Sequence, residues 1–118
     1  MNIKDNKMKP PNQCNNLGDI RIGIDTIDKE IIALLSRRLG YVLAAANFKP
    51  TEADIPAPDR VQVMLKDRFF WAQEEKISSK FITELFDHII HWYINTQILH
   101  WRKMHGIMEN SNEFQHNR

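Results

Sequence analysis

DIRIGIDTIDKEIIALLSRRLGYVLAAANF, residues 19–48, is the stretch whose reading decides the fold. Ile20, Ile24, Ile27, Ile31, Leu34, Val42 and Ala45 recur at steps built from threes and fours, which is helical spacing. Asp19 suits an N-cap or a first-turn carboxylate. Gly23 lowers helix propensity locally by about 1 kcal/mol. Pro50 ends the helix, because the residue before a proline disfavours helical angles. A helix of this length spans about 45 Å at 1.5 Å per residue. A compact globule of 118 residues measures only about 35 Å across. A straight first helix therefore outruns its own monomer, and its apolar stripe needs a cover. A second copy related by a two-fold axis supplies one; a kink at Gly23 is the competing explanation.

Two further helical segments follow. A loop over 49–57 is stiffened by Pro50 and Pro56, with a polar stretch between them that is able to move. Pro58 suits the first turn of the second segment, where its missing N–H costs nothing. That segment runs to about Lys76, with Val61, Met64, Leu65 and Trp71 as its apolar side. Ser78 is a good N-cap for the third, and Ile77 and Ile82 flank it at staple spacing. The third runs from Lys80 to His105, and Gly106 is a natural residue just past its end. The predicted fold class is all-α: a three-helix chain with a long first helix, forming an intertwined homodimer. Residues 17–106 form the predicted domain. Residues 1–16 and 107–118 are polar and read as a flexible leader and tail.

Composition closes several routes. The 16 Lys and Arg against 15 Asp and Glu leave a formal charge of +1, which gives no case for nucleic acid or a membrane surface as partner. Cys14 is the single cysteine, so an intrachain disulfide is excluded. The first residues lack the apolar run of a signal peptide. No stretch approaches about 18 continuous apolar residues, so no membrane span is expected and the cytoplasm is the default compartment. His88 and His91 lie three apart with no evident third ligand, so no metal is expected. There is no glycine-rich phosphate loop, nucleophile elbow or CxxC pair.

Polar residues that interrupt apolar rows are the candidates for a site. Arg38 falls where the first helix calls for a leucine. It either packs its stem at the stripe's edge with its head in water, or turns inward to await an anion. Gln97 is the amide in the row Phe86, Ile90, Tyr93, Gln97, Trp101. It is either a core glutamine satisfied by backbone or a donor aimed into a pocket. Arg21, Lys49 and Arg60 each read singly as surface cations. Taken with Arg38 and Gln97, they offer four cations and one amide against a helical apolar wall. Such a set suits a small dicarboxylate, which arginine grips bidentately.

The run from Ile20 to Asp28, with Leu35-Ser36-Arg37-Arg38, resembles the opening helix of the all-α chorismate mutase family. Phe48-Lys49, Ile55-Pro56-Ala57-Pro58-Asp59-Arg60-Val61, Ile89-Ile90-His91-Trp92-Tyr93-Ile94-Asn95-Thr96-Gln97 and Trp101-Arg102 resemble its isochorismate-pyruvate lyase branch. The resemblance implies release of salicylate and pyruvate from isochorismate, for salicylate or siderophore-type biosynthesis, with no cofactor. It implies that Arg38, Arg60, Val61, Tyr93 and Ile94 bind substrate and that Lys49 and Gln97 donate to the breaking ether. It also implies that Arg21 enters from the partner chain and that the 49–57 loop closes over the site. Mutases of this class carry a glutamate at the position of Val61 and a small polar residue at that of Tyr93. Both departures remove handles for chorismate. The alternatives are a chorismate mutase, alone or as a side activity, and a non-catalytic helical dimerisation module.

Overall fold

The computed structural model describes residues 8–107, and all regular structure among them is helical. Helix α1 is Leu17–Ala45, α2 is Pro58–Glu74 and α3 is Ser79–Met104. One-turn 3-10 helices stand at Pro11–Gln13, Ala46–Phe48 and Glu52–Asp54. The expectations for 1–7 and 108–118 lie outside the described residues.

Residues 8–40 form one unit, which is nearly all α1. Its N-cap is Asn16, whose side chain accepts from the Asp19 N–H at 2.9 Å. Asp19 is therefore the first-turn carboxylate of the two expected alternatives. Its carboxylate accepts from the Asn15 N–H at 3.0 Å and from Lys9 Nζ at 3.1 Å, and those bonds hold its carboxyl below the ordinary range. Within the expected leader, residues 8–16 are thus tied to the start of the helix. The helix runs unbroken through Gly23. Ile24, Ile27, Ile31 and Leu34 all lie exposed on it, between 46 and 55%.

Within the helical run Leu17–Phe48, one 18-residue window is apolar enough to cross a membrane by length and composition, a test that the core helix of a soluble protein also passes. Average hydropathy tolerates a few charges that a search for unbroken apolar runs does not. Six further charged residues, from Asp19 to Glu30, share that run with Arg37 and Arg38. Each costs about 2.5–3.5 kcal/mol at a bilayer centre.

The second unit runs from Tyr41 onward, and in it α2 packs against α3. Ser78 caps α3 as expected, accepting from the Phe81 N–H at 3.1 Å. Gly106 closes it at φ 71°, with Ile107 N–H on the Arg102 carbonyl and Gly106 N–H on that of Lys103. This is a Schellman ending, which needs a left-handed residue. The inner row of α3 is Ile90, Tyr93, Gln97 and Trp101, all buried. Ala46, Ile55 and Trp101 form a core cluster, with Ile94 and Ile98 packed against it. Trp71, expected on the apolar side of α2, is half exposed, with the Arg68 guanidinium 4.8 Å from its ring centre.

The end of α2 repeats the Schellman pattern with a less suitable residue. Ile77 N–H reaches the Ala72 carbonyl and Lys76 N–H that of Gln73. Lys76 occupies the left-handed position at φ 58°. Left-handed angles cost a side-chain-bearing residue about 1–2 kcal/mol, partly offset by glycine's greater unfolded freedom. Lys76→Gly is expected to raise stability by about 0.5–1 kcal/mol, read from the urea midpoint at unchanged slope. A lowered midpoint would show that the lysine side chain stabilises that corner.

Candidate functional site

The candidate residues of the second unit gather where α1 gives way to the loop. The last carbonyls of a helix have no partner within it and must find one elsewhere. The chain tightens from α1 into the Ala46–Phe48 turn, and Lys49 is extended, at φ −102° and ψ 112°, ahead of Pro50. From α3, Gln97 Nε2 donates to the Val42 carbonyl. One turn on, Trp101 Nε1 donates to the Lys49 carbonyl at 2.9 Å. Gln97 is only 6% exposed. Of the two readings of Gln97, the backbone-satisfied amide accounts for one of its hydrogens. The second hydrogen and the carbonyl oxygen keep their bonding capacity.

Lys49 is half-buried, and its Nζ donates to the Asp54 carbonyl at 3.4 Å. Among the described residues it takes part in no ion pair, so its ammonium rests on a neutral oxygen. The loop that carries it is a built element. Asp54 Oδ2 accepts from the Thr51 N–H at 3.0 Å and from its hydroxyl at 2.8 Å. Ile55 is 3% exposed within the Ala46–Trp101 cluster. Arg102 holds the Glu52 carboxylate at two points, Nε to Oε1 at 2.6 Å and Nη2 to Oε2 at 3.0 Å. The Arg102 hydrogen bond, followed by its charge, keeps the Glu52 carboxyl below the usual carboxylate value of 4.5.

The loop ends at Ala57, which is left-handed at φ 39° and gives α2 no side-chain cap. Pro58 takes the first helical position as expected. Arg60 stands exposed in the first turn, at the positive end of the helix dipole. A cation there is disfavoured on its own and favoured beside an anion. Val61 follows it at 9% exposure, with Tyr93 at 6% and Ile94 half-buried on α3. None of these three side chains carries a charge.

The remaining candidates lie on α1. Arg21 is exposed and Arg38 half-buried. Seventeen positions separate them on one continuous helix, about 26 Å at 1.5 Å per residue. Two arginine side chains of one chain cannot meet on one small molecule across that distance.

Reading the sequence missed three elements of this arrangement: the Trp101 bond to Lys49, the Glu52–Arg102 pair and the Thr51–Asp54 turn. The third had a local signal, a threonine three residues before an aspartate. The other two join residues 52 and 50 positions apart, and periodicity carries no trace of them. Among the described residues, no three His, Cys, Asp or Glu side chains come together as metal ligands. His91 Nδ1 lies 2.7 Å from the Asp87 carbonyl in its own helix.

A family model described as chorismate mutase type II matches residues 20–98. An isochorismate pyruvate lyase of Pseudomonas aeruginosa is 50% identical over 99 residues, which cover 84% of this chain and 98% of that protein.

The depressed Glu52 carboxyl gives a sign-determined pH dependence. Its ion pair contributes in full above the unfolded value near 4.5 and is lost as pH falls through the lower folded value. The difference in thermal midpoint between the wild-type chain and Glu52→Gln is therefore expected to be constant near neutrality and to vanish in strong acid. A difference that persists unchanged into strong acid would assign the effect to packing instead of charge.

Proposed function

Because the chain belongs to the chorismate mutase type II family, we propose that it is an isochorismate pyruvate lyase, releasing salicylate and pyruvate without a cofactor. The observation that carries this reading is the 50% identity along essentially the whole of a curated isochorismate pyruvate lyase. The lining at Val61 and Tyr93 supports the same reading. Neither side chain carries the charge that would grip the chorismate hydroxyl.

The reaction is a pericyclic elimination. A ring hydrogen moves to the enolpyruvyl methylene as the ether C–O bond breaks; the ring becomes aromatic and the transferred hydrogen completes the pyruvate methyl. No nucleophile or base is consumed. The protein contributes conformation and charge. Arg38 and Arg60, with Arg21 of a second copy, would bind the two carboxylates and hold the side chain over the ring. Orientation of that kind contributes up to roughly 7–11 kcal/mol in favourable systems. Negative charge builds on the ether oxygen, where Lys49 and the uncommitted amide hydrogen of Gln97 would donate. One preorganised donor contributes roughly 3–4 kcal/mol. Val61, Tyr93 and Ile94 would exclude water and strengthen these contacts.

The homodimer belongs to the same proposal. If Arg21 and Arg38 serve one substrate, the 26 Å between them along α1 requires two chains, with their first helices antiparallel. The exposed stripe of Ile24, Ile27, Ile31 and Leu34 supplies the face they would share. We read that stripe as a subunit interface in a cytoplasmic enzyme, because a bilayer would have to accept Arg37 and Arg38.

Purified protein given isochorismate is expected to release salicylate, read by its fluorescence, and equimolar pyruvate. With chorismate it is expected to make prephenate far more slowly. Absence of salicylate, or faster prephenate formation, would overturn the reading. Lys49→Ala is expected to lower kcat by roughly 100- to 1,000-fold while the circular dichroism spectrum stays unchanged. Arg21→Ala and Arg38→Ala chains, each inactive alone, are expected to regain roughly a quarter of wild-type activity on statistical mixing. Half the dimers are then mixed, and each mixed dimer has one intact site. A mixture as inactive as its parents would rule out a shared site.

A further inference from the structure

Two consecutive residues near the end of α3 hold the loop that carries Lys49. The Trp101 indole takes the Lys49 carbonyl at 2.9 Å, and the Arg102 guanidinium takes both oxygens of Glu52, at 2.6 and 3.0 Å. The two anchor points lie three residues apart on the loop. One tether would let the segment pivot about it. Two tethers from a single helix remove that rotation. Lysine carries its ammonium on a flexible four-carbon stem, so the region the ammonium samples is set by where the backbone is fixed.

The form of the second tether matters. An isolated exposed ion pair contributes little to stability. A bidentate guanidinium–carboxylate pair fixes two planes against each other, so its main product is geometry. These side chains are 26 and 37% exposed, which leaves them partly shielded from solvent. The pair has an electrostatic consequence as well. Glu52 lies three residues from Lys49, and while Arg102 holds its carboxylate it does not neutralise the ammonium that an anionic substrate has to meet.

Resting on the lyase reading above, we propose that the Glu52–Arg102 pair is a positioning clamp for Lys49. It fixes the loop backbone and keeps the Glu52 carboxylate off the Lys49 ammonium. It governs turnover through that lysine without itself touching substrate.

The test uses the full chain and the variants Arg102→Gln, Arg102→Lys, Glu52→Gln and the double variant Glu52→Gln/Arg102→Gln. Lys80→Ala, which breaks the exposed Lys80–Glu84 pair elsewhere on α3, is the control. In Arg102→Gln, kcat is expected to fall roughly tenfold or more with KM within about threefold of wild type. Amide hydrogen exchange over 49–55 is expected to quicken while α3 keeps its protection. Arg102→Lys keeps the charge but loses the fork, and is expected to fall between the two. The double variant is expected to recover part of the kcat lost in Arg102→Gln, because the freed carboxylate is gone. Lys80→Ala is expected to match wild type in both measurements. An Arg102→Gln chain with wild-type kcat, beside a Lys49→Ala chain that has lost it, would overturn the clamp. So would unchanged exchange over 49–55, or a double variant no better than Arg102→Gln. A wild-type chain that releases no salicylate defeats the lyase reading and the clamp's catalytic role with it. The exchange comparison then decides alone whether Arg102 holds the loop.

Discussion

Where α1 gives way to the loop, part-buried backbone carbonyls need partners. Ala46, the first residue beyond the helix, is 1% exposed, so water is a poor source of partners there. Side chains from α3 supply them, Gln97 to Val42 and Trp101 to Lys49. Because those donors sit on the buried row of α3, satisfying the backbone also fixes where the loop begins. The two bonds hold the backbone at Val42 and at Lys49.

Among the described residues, the cations around this junction are not matched by carboxylates close in sequence to them. Lys49 rests on a neutral carbonyl, and Arg60 stands at the positive end of a helix. Each is mildly unfavourable without an anion and becomes favourable with one. The nearest loop carboxylates, Glu52 and Asp54, are engaged by Arg102 and by Thr51. The acidic groups closest in sequence to Lys49 are therefore held in bonds to other residues. The two arginines of α1 add a constraint of another kind. They stand seventeen positions apart on one continuous helix, about 26 Å at 1.5 Å per residue.

Most of the helical framework was legible in the residues. Pro58, Ser78 and Gly106 mark boundaries within two residues of those observed, because capping is local chemistry between neighbours. The buried row of α3 was legible for the same reason: a 3.6-residue period puts Ile90, Tyr93, Gln97 and Trp101 on one side. At the start of α1 the residues left two roles open for Asp19, and the structure gives it the first-turn one. Asn16 caps the helix instead of Asp19, since both residue types suit a first turn and only the backbone path selects between them. Trp71 shares the period of the α2 stripe yet lies half exposed, because period defines a face and not what covers it.

Gln97 shows where local reading stops. The sequence marked it as an amide in an apolar row and left two roles open. The fold commits one hydrogen to Val42, 55 positions away. By itself, then, the sequence determined the helices, their ends, the apolar rows and the set of cations, since each follows from residues within a turn or two of one another. Only the tertiary structure decided which backbone groups those side chains serve, how the 49–57 loop is held and that Arg102 takes Glu52. Those bonds join residues fifty or more positions apart, and a contact that depends on how the chain returns on itself leaves no periodic mark in its letters.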